Sequence, residues 1–100
     1  MNKILPNSIK QLYIIYTENS SIVSGLTNLS VTIYDLNRNI ILDTTILSEE
    51  GISGIYSYNW SVGDLPQELQ LVVIYKAGNL LLSAEEYMID IESDNTGRAF

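Results

Sequence analysis

The fold is decided by an alternating stretch in the first half of the chain, Leu29-Ser30-Val31-Thr32-Ile33-Tyr34-Asp35-Leu36. From residue 29 to residue 34 an apolar side chain is followed each time by a hydroxyl-bearing one. Successive side chains of a strand point to opposite faces, so this period of two predicts a half-buried β-strand.

The residues after this stretch predict a β-hairpin. Residues 35–39 are polar and rich in Asn and Asp, which tolerate left-handed backbone and favour turns. The chain then returns through residues 40–47, where we expect Ile40, Leu42 and Ile46 to share one face. Two such runs joined by a short polar loop are typical of a hairpin.

Further short runs of β-branched, aromatic or alternating residues follow the same rule, at residues 9–17, 22–23, 55–60, 69–75, 80–82 and 86–91. Residues 80–88 also have helix propensity, but Gly78-Asn79 before them favours a hairpin, so we predict a strand there. The total is about seven short strands with turn signals every 8–12 residues, which predicts an all-β sandwich or small barrel.

Length and composition indicate one domain with a real core. The chain has 100 residues, of which 46% are hydrophobic, too many for a disordered segment. We expect an N-terminal arm at residues 1–8, a single domain at residues 9–92 and a flexible C-terminal tail at residues 93–100.

The charge and the missing residue types exclude several functions. Twelve acidic residues against five basic ones give a net charge of −7, which disfavours binding to nucleic acid. The chain has no cysteine and no histidine, so it has no disulfide, no thiolate zinc site and no Ser-His-Asp triad. Pro6 and Asn7 interrupt the first apolar run, so we expect no signal peptide and no membrane span, and synthesis in a cytosol.

The carboxylates are the remaining candidates for chemistry. Glu49-Glu50 and Glu85-Glu86 are adjacent pairs, and adjacent strand residues point to opposite faces, so neither pair can flank one substrate. Asp90, Glu92 and Asp94 resemble a calcium loop, although the glycine that follows is misplaced for an EF-hand; a polar tail is the alternative. We predict no catalytic residue, no cofactor and no metal site.

The aromatic residues Tyr56, Tyr58 and Trp60 share one face of a predicted strand. They indicate core packing, because each ring buries a large apolar area. The alternative is a stacking platform for carbohydrate, to which Tyr13 and Tyr34 would add.

Two segments resemble small immunoglobulin-like modules in virion proteins of tailed phages and related viruses. One is the strand Val31-Thr32-Ile33-Tyr34-Asp35, entered from Gly25-Leu26-Thr27. The other is Glu50-Gly51 followed by Gly54-Ile55-Tyr56-Ser57-Tyr58-Asn59-Trp60. Bacterial surface repeats and transthyretin-like modules share much of this pattern.

The resemblance implies an immunoglobulin-like β-sandwich of antiparallel strands and a non-enzymatic structural role in a virus particle. A decoration, head-fibre, neck or tail-adaptor protein of that kind would dock on capsid or tail proteins, in several copies, without binding nucleic acid or membrane. Exposed apolar residues in the predicted arm and tail, Ile4, Leu5 and Phe100, are the candidate partner contacts. The alternatives are a carbohydrate-binding or adhesion module that uses surface aromatics, and an inhibitor of a host protein.

Overall fold

A computed structural model describes residues 2–90 of the chain. Within these residues every regular element is a strand, and there are ten of them. They are β1 (Asn2–Ile4), β2 (Ile9–Ile15), β3 (Thr17–Glu18), β4 (Ser21–Ile22), β5 (Leu29–Asp35), β6 (Ile40–Ile46), β7 (Ser48–Glu49), β8 (Ile55–Ser61), β9 (Gln70–Ala77) and β10 (Leu80–Ile89).

The strands form two main sheets and a small hairpin. The five-stranded sheet has the order β1-β10-β9-β5-β6, the three-stranded sheet has the order β2-β8-β7, and β3 pairs with β4. Side chains from both main sheets join one buried cluster, with Leu12 and Tyr56 from one and Ile33 and Val73 from the other. The protein is therefore an all-β sandwich, as its alternating runs predict.

The predicted hairpin of residues 29–47 is present as β5 and β6. Asp35 closes its turn, because its carboxylate accepts hydrogen bonds from the backbone N–H groups of Asn37 and Asn39 and from the Asn39 side chain. These bonds, the Asn39 side chain first among them, lower the pKa of Asp35.

The prediction that Ile40, Leu42 and Ile46 share one face of β6 is wrong, however. The register shifts twice along β5, so Leu42 lies opposite the buried Ile33, whereas Ile40 and Ile46 lie opposite Tyr34 and Ser30. β-Bulges of this kind move a side chain to the other face. Ile40 and Ile46 therefore point out of the sandwich.

Strand β5 is more buried than its alternation predicts. Ser30 and Thr32 are buried as well as the apolar residues of the other face. The strand lies between β9 and β6, and the Thr32 hydroxyl hydrogen-bonds to that of Thr44 at 2.9 Å. The hydroxyl face of β5 is thus covered by its neighbours within the sheet.

The two ends of the domain also differ from the expectations. The structure has ten strands within residues 2–90 rather than about seven, and four of them, β1, β3, β4 and β7, are only two or three residues long. Residues 2–4 of the predicted arm form β1, which pairs in parallel with β10, so not every strand pair is antiparallel. The prediction of a strand rather than a helix at residues 80–88 is confirmed, since residues 80–89 form one bulged strand, β10.

One loop carries the chain from the three-stranded to the five-stranded sheet, and the buried Tyr56 holds it. The Tyr56 hydroxyl donates to the carbonyl of Val23 at 2.7 Å and accepts from the N–H of Leu26 at 3.2 Å. The Glu49 carboxylate accepts four more bonds, from Ser24 and Gly25 in this loop and from Ser53 and Gly54 beside β8. Loop and strand β8 are thereby joined.

Replacing Tyr56 with Phe tests this joint. Loss of the hydroxyl leaves a partly buried carbonyl and a partly buried N–H without their partner, so we expect the free energy of unfolding to fall by about 1–3 kcal/mol. Urea unfolding followed by circular dichroism measures it. Tyr58→Phe is the matched control, since the Tyr58 hydroxyl makes no hydrogen bond within residues 2–90, and its effect should stay within about 0.5 kcal/mol. Equal losses in the two variants would contradict the role of the joint.

Candidate functional site

The three predicted partner residues have different positions. Ile4 is buried in the core beside β10, so it is not an exposed contact, because β1 has joined the sheet. Leu5 follows β1 and is 40% exposed. Phe100 lies outside the described residues. Of the three, Leu5 is thus the one that the structure places at the surface.

The aromatic stripe on β8 faces inward. Tyr56 and Trp60 are buried and Tyr58 is partly buried against the same core cluster. The core interpretation of these rings is confirmed, and a carbohydrate platform on this stripe is excluded because no pair of its rings is open to solvent. Tyr13 and Tyr34 remain at the surface, with Tyr13 55% exposed.

The adjacent carboxylates point to opposite faces, as strand geometry requires. Glu49 bonds to the crossover loop described above, whereas Glu50 accepts from Gln11 and Ser57 on the outside of the three-stranded sheet. Glu85 lies opposite the buried Val73, and Glu86 lies opposite Val72 on the other face. Glu85 therefore points between the sheets.

A cleft of about 390 Å³ opens at the side of the sandwich, between the free edge of β2 and strand β10. Lys10 on β2 and Glu85 on β10 both line it. The Lys10 ammonium lies 5.4 Å from the centre of the Tyr87 ring, within the range of a cation–π interaction. The Tyr87 hydroxyl donates to Glu85 Oε1 at 3.0 Å. The other lining residues are Asn2, Gln11, Tyr13, Ile14, Ile15 and Tyr75.

Three tyrosine hydroxyls meet in this cleft. Tyr75 is buried, and it lies close enough to Tyr13, Glu85 and Tyr87 to interact with them electrostatically. Burial raises the pKa of Tyr75 well above its ordinary value, and the charge of Glu85 adds to this effect. Burial, followed by the hydrogen bond to Glu85, raises the pKa of Tyr87 to about 12.

The sequence contains one signal for this cleft, a charged residue at an inward position of an alternating strand. Lys10 lies on the same face of its strand as the buried Leu12. Glu85 lies on the same face of its strand as the buried Tyr87 and Ile89. A charged side chain in an inward position is unusual unless it is paired or solvated. Such residues mark an opening in the core, but the partner strand is distant in sequence and only the fold identifies it.

A second candidate surface is the outer face of the five-stranded sheet, which we call the outer face. Ile40, Ile46 and Leu81 are more than half exposed there. Val72 and Ile74 lie between them, and a depression of about 210 Å³ is lined mainly by the hydroxyl residues of β5 and β6 with Ile74 and Lys76 of β9. No other element of residues 2–90 packs on this face. It is suited to contact with another macromolecule.

Comparison with models of protein families, with curated proteins and with solved structures finds no match to this chain. In the part that the structure describes, no group of three or more acidic side chains is placed to hold a metal ion. The same part contains no helix with the length and hydropathy to cross a membrane. Functional inference therefore rests on the cleft, the outer face and the sequence resemblance.

Trp60 fluorescence tests the inward orientation of the β8 stripe. Trp60 is the single tryptophan of the chain and is 4% exposed. We expect a blue-shifted emission maximum and weak quenching by acrylamide in the folded protein, with strong quenching after unfolding in urea. Strong quenching of the folded protein would contradict the burial of the stripe.

Alkaline pH should destabilise the protein through Tyr75 and Tyr87. Because their pKa values are higher in the folded state than the ordinary value of about 10, the unfolded chain releases its phenolic protons first. The stability contributed by these two tyrosines is then constant below pH ~10 and is lost as the pH rises through about 10 to 12. Urea unfolding at a series of pH values measures this slope.

The variant Tyr87→Phe isolates one of these groups. We expect a shallower loss of stability above pH ~10 than in the parent protein, since one ionisable group has been removed. Comparison of the two proteins at pH 8 supplies the reference for any structural cost of the substitution. Parallel curves across the alkaline range would contradict the assignment to Tyr87.

Proposed function

We propose that this chain is a non-enzymatic, immunoglobulin-like module of a virus particle that docks on a capsid or tail protein. It is made in the host cytoplasm, and its position on the particle is that of a decoration, head-fibre, neck or tail-adaptor protein. The sequence resemblance supports the class of protein. Strand order supports the fold family, and the exposed outer face supports the mode of contact.

Strand order supports the immunoglobulin-like assignment. With β2, β8 and β7 equated with immunoglobulin strands B, E and D, the three-stranded sheet has the expected neighbours. With β10, β9, β5 and β6 equated with G, F, C and C′, the five-stranded sheet also has the neighbouring strands expected of an immunoglobulin sheet. The agreement in both sheets is more specific than a count of strands.

The outer face carries the docking proposal. Ile40, Ile46 and Leu81 expose large apolar side chains on one side of a sheet that nothing else within residues 2–90 covers. Apolar side chains on a rigid sheet bind with little loss of backbone entropy. The hydroxyl-lined depression beside Ile74 accommodates a projecting side chain of the partner.

Size-exclusion chromatography with light scattering, with and without the particle or its major capsid protein, tests the proposal. We expect co-elution with the particle, or a discrete ring such as a trimer. The variant Ile46→Lys should weaken association at least about tenfold, because it places an ammonium in an apolar contact. A monomer that does not associate with particles would overturn the structural role.

Ile15→Lys is the matched control. Ile15 is 55% exposed and Ile46 is 56% exposed, but Ile15 lies on the three-stranded sheet. The control should associate as the parent protein does. Loss of association in Ile15→Lys with normal association of Ile46→Lys would reject the outer face as the contact surface.

A further inference from the structure

The cleft beside β2 contains two opposite charges that are not joined to each other. The ion pair formed within residues 2–90 is between Lys3 and Asp90, at 4.0 Å, and not between Lys10 and Glu85. Both of the latter occupy inward positions, where Lys10 is opposite the buried Trp60 and Glu85 is opposite the buried Val73. Both side chains are half-buried there, so each keeps polar capacity that faces the open cleft. A polar ligand between them would satisfy both.

The hydrogen-bonding groups in the cleft include strong donors and a strong acceptor. Glu85 uses Oε1 for the Tyr87 hydroxyl, while Oε2 accepts no bond from residues 2–90. The Lys10 ammonium carries three N–H donors and no acceptor, and Tyr13 and Asn2 add groups at the rim. Two neighbouring hydroxyls of one molecule match this arrangement, since one donates to the carboxylate while the other accepts from the ammonium.

The charges of the cleft also select against ions. One ammonium and one carboxylate cancel, so a ligand of either sign meets a like charge as well as an opposite one. An anion is further repelled by the net charge of −7 on the chain. An uncharged ligand avoids both penalties.

The aromatic rings supply the apolar part of the site. Tyr13 exposes more than half of its surface at the rim, and the rings of Tyr75 and Tyr87 line the interior. A pyranose presents C–H groups on one side while its hydroxyls point outward. The face of an aromatic ring packs well against these C–H groups. A cleft of about 390 Å³ is within the range of small-molecule sites, about 300–1,000 Å³.

We propose that this cleft binds one uncharged saccharide unit, with Glu85 and Lys10 hydrogen-bonded to neighbouring hydroxyls and Tyr13 packed on the C–H face of the sugar. The site differs from the β8 stripe, whose rings are buried. It also lies between the sheets rather than on the outer face, so it does not depend on the docking proposal. Either proposal can fail without the other.

The test is a titration of the isotope-labelled full chain with glucose, galactose, mannose and N-acetylglucosamine, followed by two-dimensional amide NMR. We expect saturable shifts with at least one sugar, centred on Lys10, Tyr13, Glu85 and Tyr87. A single sugar unit at an open site should bind with a Kd of about 1–10 mM. No saturable shift with any of the four sugars would overturn the proposal.

Substitutions of one charged and one aromatic residue of the cleft test where the sugar binds. Glu85→Gln should weaken binding at least about tenfold, because a charge-assisted hydrogen bond is lost, and Tyr13→Ala should weaken it as well. Glu86→Gln is the matched control for the first, since it removes the same charge one residue away on the outer face, and Tyr34→Ala is the control for the second. Both controls should bind as the parent does.

The remaining outcomes are decisive as well. Unchanged binding in Glu85→Gln and Tyr13→Ala, with spectra showing that both are folded, would overturn the proposed site. Inorganic phosphate and tetramethylammonium serve as charged probes. Saturable shifts at Lys10 and Glu85 with either ion, and none with sugars, would overturn the assignment to an uncharged ligand.

Discussion

The crossover that leads from the β3–β4 hairpin into β5 depends on one buried hydroxyl. Tyr56 binds both a carbonyl and an N–H of the loop at residues 23–26, after β4 and before the chain enters β5. Backbone groups of a loop that no strand pairs need other partners, and here the Tyr56 hydroxyl supplies one to each of these two groups. Tyr56 lies on β8 in the three-stranded sheet, and its hydroxyl therefore holds the loop that leads into β5 of the other sheet.

Other features of this region follow from the same joint. The Glu49 carboxylate ties the loop to Gly54, and these backbone bonds, from Gly25 and Gly54 first, lower the pKa of Glu49. Gly54 has a φ of +73°, and a Cβ there would lie 2.9 Å from Cβ of Ile22. A larger residue would therefore push β4 away from β8. The glycine that precedes the aromatic strand β8 is therefore required by this close approach.

The alternation of the sequence predicts where strands lie, because the period of two is a local property of the chain. It does not predict what depends on distant residues. The bulges of β5 and β6 turn Ile40 and Ile46 outward, and β1 is only three residues long and pairs with the last strand of the described domain. The cleft was missed for the same reason: Lys10 is unusual in its own strand, but Glu85 and Tyr87 reach it only after the sheets pack.

The cleft also explains how β2 tolerates a free edge. The carbonyl of Ser8 and the N–H of Tyr16 bond toward β8, so the intervening Tyr13 directs its backbone to the open side. Side chains of the other sheet, Tyr75, Glu85 and Tyr87, line the cleft on this side. Free strand edges that nothing shields pair with other chains, and a strand added here would have to pass these side chains. The open side therefore offers side chains as well as an edge, which favours recognition of a small polar molecule over addition of a strand.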